Sequence, residues 1–69
     1  MNNLEICNQL EEGGAHVRSI LPASSKGVVW ERNDFAPFPD RPFVFTPIIN
    51  GCLGSSVFDL TLSEAEAML

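Results

Sequence analysis

Cys7, His16 and Cys52 are the residues of this 69-residue chain whose types could do covalent chemistry. A thiolate is a strong nucleophile, and an imidazole can take its proton. Their placement argues against that use. A reactive thiol needs a helix N-terminus or a nearby cation to lower its pKa. Cys7 falls in the middle of an expected helix, and no cation lies beside Cys52 in sequence. Zinc takes about four ligands, usually in short-range pairs, and this chain has two isolated cysteines and a single histidine. The acidic residues do not follow the Asp-x-Asp-x-Asp-Gly pattern of a calcium loop. The reading is therefore no catalytic residue, no metal and no cofactor, with both cysteines expected as small buried hydrophobes.

The segment NGCLGSS, residues 50–56, has the glycines and hydroxyls with which backbone N–H groups can cradle an anion. It lacks the Gly-Lys-Ser/Thr that completes a phosphate loop, so it reads as a hairpin turn followed by a bulge. The charge balance, nine Asp and Glu against four Lys and Arg, disfavours direct nucleic-acid binding. Arg18, Lys26, Arg32 and Arg41 are too scattered to form a basic stripe. Acidity suggests the converse reading, in which Glu11, Glu12, Glu64 and Glu66 form an acidic patch that imitates a phosphate backbone in a basic groove.

The densest feature is DFAPFPDRPF, residues 34–43, with three phenylalanines and three prolines in ten residues. Proline fixes φ, removes a donor and pushes its predecessor toward extended geometry, so a stiff, partly polyproline II loop is expected over 33–42. Trp30, Phe35, Phe38, Phe43 and Phe45 are more aromatic surface than so small a sheet can cover. Some should form a lid on the sheet, and the remainder an exposed apolar patch of the kind that marks interfaces. Arginine and aromatics are enriched in binding hot spots. The candidate partner-binding residues are thus Trp30, Arg32, Phe35, Phe38, Arg41 and Phe43, with Arg32 and Arg41 free to pair with Asp34, Asp40 or a partner's carboxylates.

Positioning these residues falls to a single domain spanning 1–69. An N-terminal helix is signalled by Asn2 with Glu5 as a capping box, by Leu4, Cys7 and Leu10 with Ile6 as its apolar face, and by Gly13-Gly14 as its stop. Residues 15–21 read as a first strand, with a bulge or end at Ile20, and 28–32 as a second with Val28 and Trp30 on one face and Val29 on the other. FVFT, 43–46, resumes a strand that Pro47 should kink or confine to an edge. Asn50-Gly51 signals a type I′ hairpin leading to Cys52 and Leu53. VFDLTL, 57–62, alternates with Phe58, Leu60 and Leu62 on one face. Ser63 and Glu66 then form a capping box for a short last helix, which must bury Ala65, Met68 and Leu69 to persist. The fold class is α+β: a small antiparallel sheet of three to four strands with an N-terminal helix and a short C-terminal helix.

The functional expectation is a non-catalytic protein-interaction module that occludes a surface on a larger partner protein. Small acidic chains of this kind are similar in size and charge to virus- or mobile-element-encoded inhibitors such as anti-CRISPR-type proteins. The alternatives are the acidic nucleic-acid mimic and a structural subunit of a homo-oligomer or larger complex, joined through an edge strand near Pro47 or the last helix. No direct nucleic-acid binding and no membrane association are expected. MNNLEICNQLEEGG lacks a basic n-region and a long apolar run, so the expected compartment is the cytoplasm, where thiols stay reduced.

Overall fold

The computed structural model describes residues 2–33 and 38–69. Asn2 starts helix α1 (Asn3–Glu12): its side-chain oxygen accepts from the Glu5 amide at 2.8 Å, satisfying one of the orphan N–H groups of the first turn. Glu5 returns the contact to the Asn2 side-chain amide rather than to its backbone. The helix ends in a Schellman motif. Gly14 takes φ +97°, its N–H donates to Glu11 O, and the Ala15 N–H donates to Leu10 O.

The face that α1 buries carries Ile6 and Leu10. Leu4, expected on that face, is 71% exposed, and Cys7 is only half-buried. Asn3 explains the rotation. Its side chain donates to Leu21 O and accepts from the Ala23 amide, giving partners to a loop backbone that the sheet leaves unpaired. Turning Leu4 inward would break both bonds.

Five strands follow: β1 (Val17–Ile20), β2 (Gly27–Arg32), β3 (Phe43–Ile49), β4 (Cys52–Leu53) and β5 (Val57–Leu60). They form one antiparallel sheet in the order β1-β2-β3-β4, with β5 also on β3. The fold is α+β as expected, with one strand beyond the three to four read from sequence. A bulge in β1, between Val17 opposite Arg32 and Ser19 opposite Glu31, lets Val17 and Ile20 both pack against the same core. Asn50 (φ 52°) and Gly51 (φ 77°) make the β3–β4 hairpin with positive φ at both central positions, as a type I′ turn requires.

Pro47 does not sit on an edge. It lies within the central strand β3, opposite Gly27 of β2. Its carbonyl points to the other side of β3, where it accepts from the Gly54 N–H. That side pairs with β5 at Phe43 and Phe45 and with β4 at Ile48 and Ile49. The donor-less nitrogen thus falls at the seam between two partner strands, where no ladder bond is lost.

Alternation along β2 and β3 splits the interior in two. Val28, Trp30 and Val44 pack under α1 with Ile6 and Leu10, while Val29 and Phe45 pack on the opposite face with Ala65 of the last helix. The sheet is therefore a middle layer between two helices.

The regular alternation expected over 57–62 is broken. Asp59 takes φ 60°, and β5 spends one extra residue between the partners of Phe45 and Phe43. Phe58 consequently lies against Trp30 on the α1 side, whereas Leu60 joins the other core. The strand ends at Leu60, and the first suitable cap after it is Thr61. Thr61 and Glu64 form the capping box of helix α2 (Leu62–Glu66), two residues ahead of the expected Ser63–Glu66 pair. Ala65 is buried, Leu69 packs against the same core, and Met68 is exposed.

Candidate functional site

The described part of the proline-aromatic loop is a turn rather than an extended rod. The Arg41 N–H donates to Phe38 O at 2.9 Å, with Pro39 and Asp40 between them. Proline followed by aspartate suits such a turn, because φ is already set at the first central position. Two contacts hold the turn. The Arg32 N–H donates to Pro42 O at the base of the loop, and the Arg41 guanidinium meets the Glu64 carboxylate of α2 at 2.7 Å. Phe38 is left 52% exposed. Asp34 and Phe35 lie outside the described residues.

The other expected docking residues divide. Trp30 is 2% exposed and belongs to the α1-side core, so it is no part of an exposed aromatic patch. Phe43 packs partly buried against the α2-side core. Arg32 lies beside Asp59 at 3.7 Å, and Arg41 reaches Glu64. Asp59 and Glu64 were not among the partners the sequence suggested, and the suggested partner Asp34 lies outside the described residues.

Sequence reading also missed several exposed apolar residues. Val57, Leu62 and Met68, on β5 and around α2, are exposed together with Phe58. The signal was present in Leu62 and Met68, but assigning them to a buried face hid it.

The acidic residues do not form one patch. Glu11 and Glu12 end α1, Glu64 and Glu66 lie on α2, and the sheet separates the two helices. Glu64 is further committed to its cap. The Thr61 N–H, the Thr61 hydroxyl and Arg41 hold its carboxyl below the usual carboxylate range. A lowered folded-state pKa adds stability that is present above the unfolded value and is lost as pH falls through the folded one. Acidification below the ordinary carboxylate range should therefore fray α2. Amide shifts of Thr61 and Ala65 followed by NMR should titrate there in the wild type and lose that step in Glu64→Gln.

Cys52 is exposed at the hairpin and Cys7 half-buried on α1, so neither is the buried hydrophobe expected. Residues 50–56 are the hairpin turn read from sequence, then the short strand β4 and an irregular stretch in which the expected bulge is not seen. Among the described residues, no group of three or more His, Cys, Asp or Glu side chains could hold a metal ion. No helix among them is long and apolar enough to cross a membrane.

A cleft of about 300 Å³ opens on the α1 side of the sheet, where the end of the helix meets β2 and β5. Leu10, Trp30 and Phe58 give it an apolar wall, Gly13 and Gly14 a bare-backbone rim, and His16, Arg32 and Ser56 its polar groups. The Trp30 and Phe58 rings meet edge to face, with centroids 6.4 Å apart and planes at 82°. The Arg32 guanidinium lies 5.5 Å from the Phe58 centroid, within cation–π range. Behind the wall, the Trp30 Nε1–H donates to Thr46 Oγ1 at 2.9 Å, and Thr46 shares a 2.7 Å hydrogen bond with Ser56. The bulge at Asp59 matters here: it turns Phe58 toward Trp30 and sets the Asp59 carboxylate beside Arg32. No periodicity in the sequence marks such a bulge.

No protein-family model, no curated protein and no solved structure matches this chain.

Proposed function

We propose that this chain is a non-catalytic interaction protein that docks on a larger protein through the Phe38 turn and the neighbouring flank of α2 and β5. The observation that carries this reading is Phe38, half-exposed on a turn whose next residues are anchored to α2 through Arg41 and Glu64. An anchored turn loses less conformational freedom on docking than a free loop, so more of its contact energy appears as affinity. Val57, Leu62 and Met68, on β5 and around α2, are further exposed apolar residues available to such a contact. Occlusion of the partner's surface is the mode of action that needs nothing more from the chain. The acidic-mimic alternative loses support because its two glutamate pairs lie on opposite sides of the sheet.

The test is an affinity capture from the native host with quantitative mass spectrometry. A partner enriched by the wild-type chain should be lost with Phe38→Ala and kept with Leu4→Ala, which removes an exposed leucine on α1. Both variants should melt within about 4 °C of wild type, as surface substitutions do. Capture that survives Phe38→Ala overturns the reading. So does a large drop in that variant's melting point, because Phe38 would then be part of the core.

A further inference from the structure

We infer that the cleft between the end of α1 and strands β2 and β5 binds a small, uncharged aromatic carboxamide, at a site separate from the Phe38 turn. Size and wall chemistry select the ring. A volume of about 300 Å³ is at the lower end of the ~300–1,000 Å³ typical of ligand pockets. Leu10, Trp30 and Phe58 give a flat ring an apolar wall. Charge disfavours both kinds of ion. The Arg32 guanidinium is committed to the Asp59 carboxylate at 3.7 Å and to the Phe58 ring at 5.5 Å, so it has no charge to spare for an anion. The opening also faces the C-terminal end of α1, made negative by the helix dipole and by Glu11 and Glu12, in a chain of net charge −5. A cation fares no better, because Arg32 lines the cleft and Asp59 does not.

The neutral polar groups select the substituent. An indole N–H can only donate, so Thr46 Oγ1 accepts from Trp30 Nε1 at 2.9 Å. Thr46 is fully buried, and its own hydroxyl hydrogen has Ser56 Oγ within reach at 2.7 Å. Leaving that hydrogen unpaired would be costly, so the chain of donors runs from Trp30 through Thr46 to Ser56. The Ser56 hydroxyl hydrogen is then left for the cleft that Ser56 lines, strengthened by the two bonds behind it. It calls for an acceptor. On the opposite rim, Gly13 and Gly14 bring bare backbone to the end of α1, where the negative pole of the helix suits an N–H donor. A primary carboxamide carries an acceptor and two donors in one plane with its ring and adds no charge.

Benzamide, benzoate and benzamidinium share one shape and differ in charge, so together they test the inference on the unmodified chain. Benzamide titrated into the full chain and followed by NMR should give saturable shifts of the Trp30 indole proton and of the Gly14, Ser56 and Phe58 amides. The indole signal is unambiguous, because Trp30 is the single tryptophan. Benzoate and benzamidinium should each bind about tenfold or more weakly, since neither charge finds a free partner. Ser56→Ala should lower benzamide affinity about threefold or more, the worth of one neutral hydrogen bond. That variant also removes a partner of Thr46. If it does not fold, Phe58→Ala decides in its place, because Phe58 is half-exposed and its loss strips the apolar wall. Its affinity should fall by a similar factor. Phe38→Ala should leave benzamide binding intact, so this site and the docking surface stand or fall separately. The inference is overturned by no saturable shift up to ~10 mM benzamide, where a ring-sized site would register. Shifts that map away from the cleft, benzoate or benzamidinium binding as well as benzamide, or full binding by a folded Ser56→Ala or Phe58→Ala chain would overturn it as well.

Discussion

Gly27→Ala should destabilise the domain by about 3 kcal/mol or more, the upper end of the overpacking range, although it adds a single methyl group. A Cβ at Gly27 would stand 2.5 Å from Thr46 O and within 2.8 Å of the Phe45 ring. The ring could turn, but the carbonyl belongs to the backbone of β3 and cannot retreat without opening the β2–β3 ladder. Domains of this length hold on the order of 3–10 kcal/mol in total. The melting point should fall by roughly 12–24 °C, at about 4–8 °C per kcal/mol. Gly14→Ala is the informative comparison. A Cβ there meets nothing within 4 Å, so its cost is the left-handed backbone alone, about 1–2 kcal/mol. Thermal denaturation of the two variants side by side checks the ranking, and a Gly27→Ala domain as stable as Gly14→Ala would refute it.

Trp30→Ala should remove most of the remaining stability. Trp30 is almost fully buried, packs beneath α1 with Ile6, Leu10, Val28 and Val44, and closes a polar chain to Thr46 and Ser56. Truncating a core tryptophan costs about 3–5 kcal/mol. The indole N–H adds a second component that can be separated. Thr46→Val keeps the shape at a fully buried position and leaves the Trp30 Nε1–H without its acceptor, at about 1–3 kcal/mol. Combined with Trp30→Phe, which has no N–H to orphan, the loss should be less than additive. Denaturant titrations of the two single variants and the double variant measure that coupling, and strict additivity would show that the hydrogen bond contributes nothing.

Much of the scaffold was legible because its signals are local. Asn2, Gly13-Gly14 and Asn50-Gly51 each carry their own conformational preference, and each sits where that preference places it. The facing of Val28 and Trp30 against Val29 followed from period-two alternation on a strand buried on both sides. What escaped was set by tertiary pairing. Asp59 bulges so that β5 can keep register with β3, and neither Asp59 nor its neighbours announce it. That one residue moves Phe58 to the other face, moves the cap from Ser63 to Thr61, and closes the cleft. Leu4 and Asn3 exchanged places because two backbone groups near residues 21–23 needed a polar partner, which a helical wheel cannot register. Of the candidate docking residues, the exposure of Phe38 and the burial of Trp30 depended on which aromatics the sheet could cover, a competition that only the assembled fold decides.

Pro47 has a consequence for what the chain cannot become. β3 is the strand on which β2, β4 and β5 all converge, and strands shared so widely are exposed to misalignment. A slip of one residue exchanges the two faces and turns Val44 and Phe45 into the wrong cores. A slip of two preserves the faces, and hydrophobic patterning alone would tolerate it. On the side of β3 that meets β4 and β5, however, such a slip would carry the proline from the seam into a rung that requires an N–H. The even-numbered misalignment, which patterning does not penalise, is the one the proline forbids. An imino acid in the central strand thus acts as an index mark that leaves three strand pairings a single common alignment.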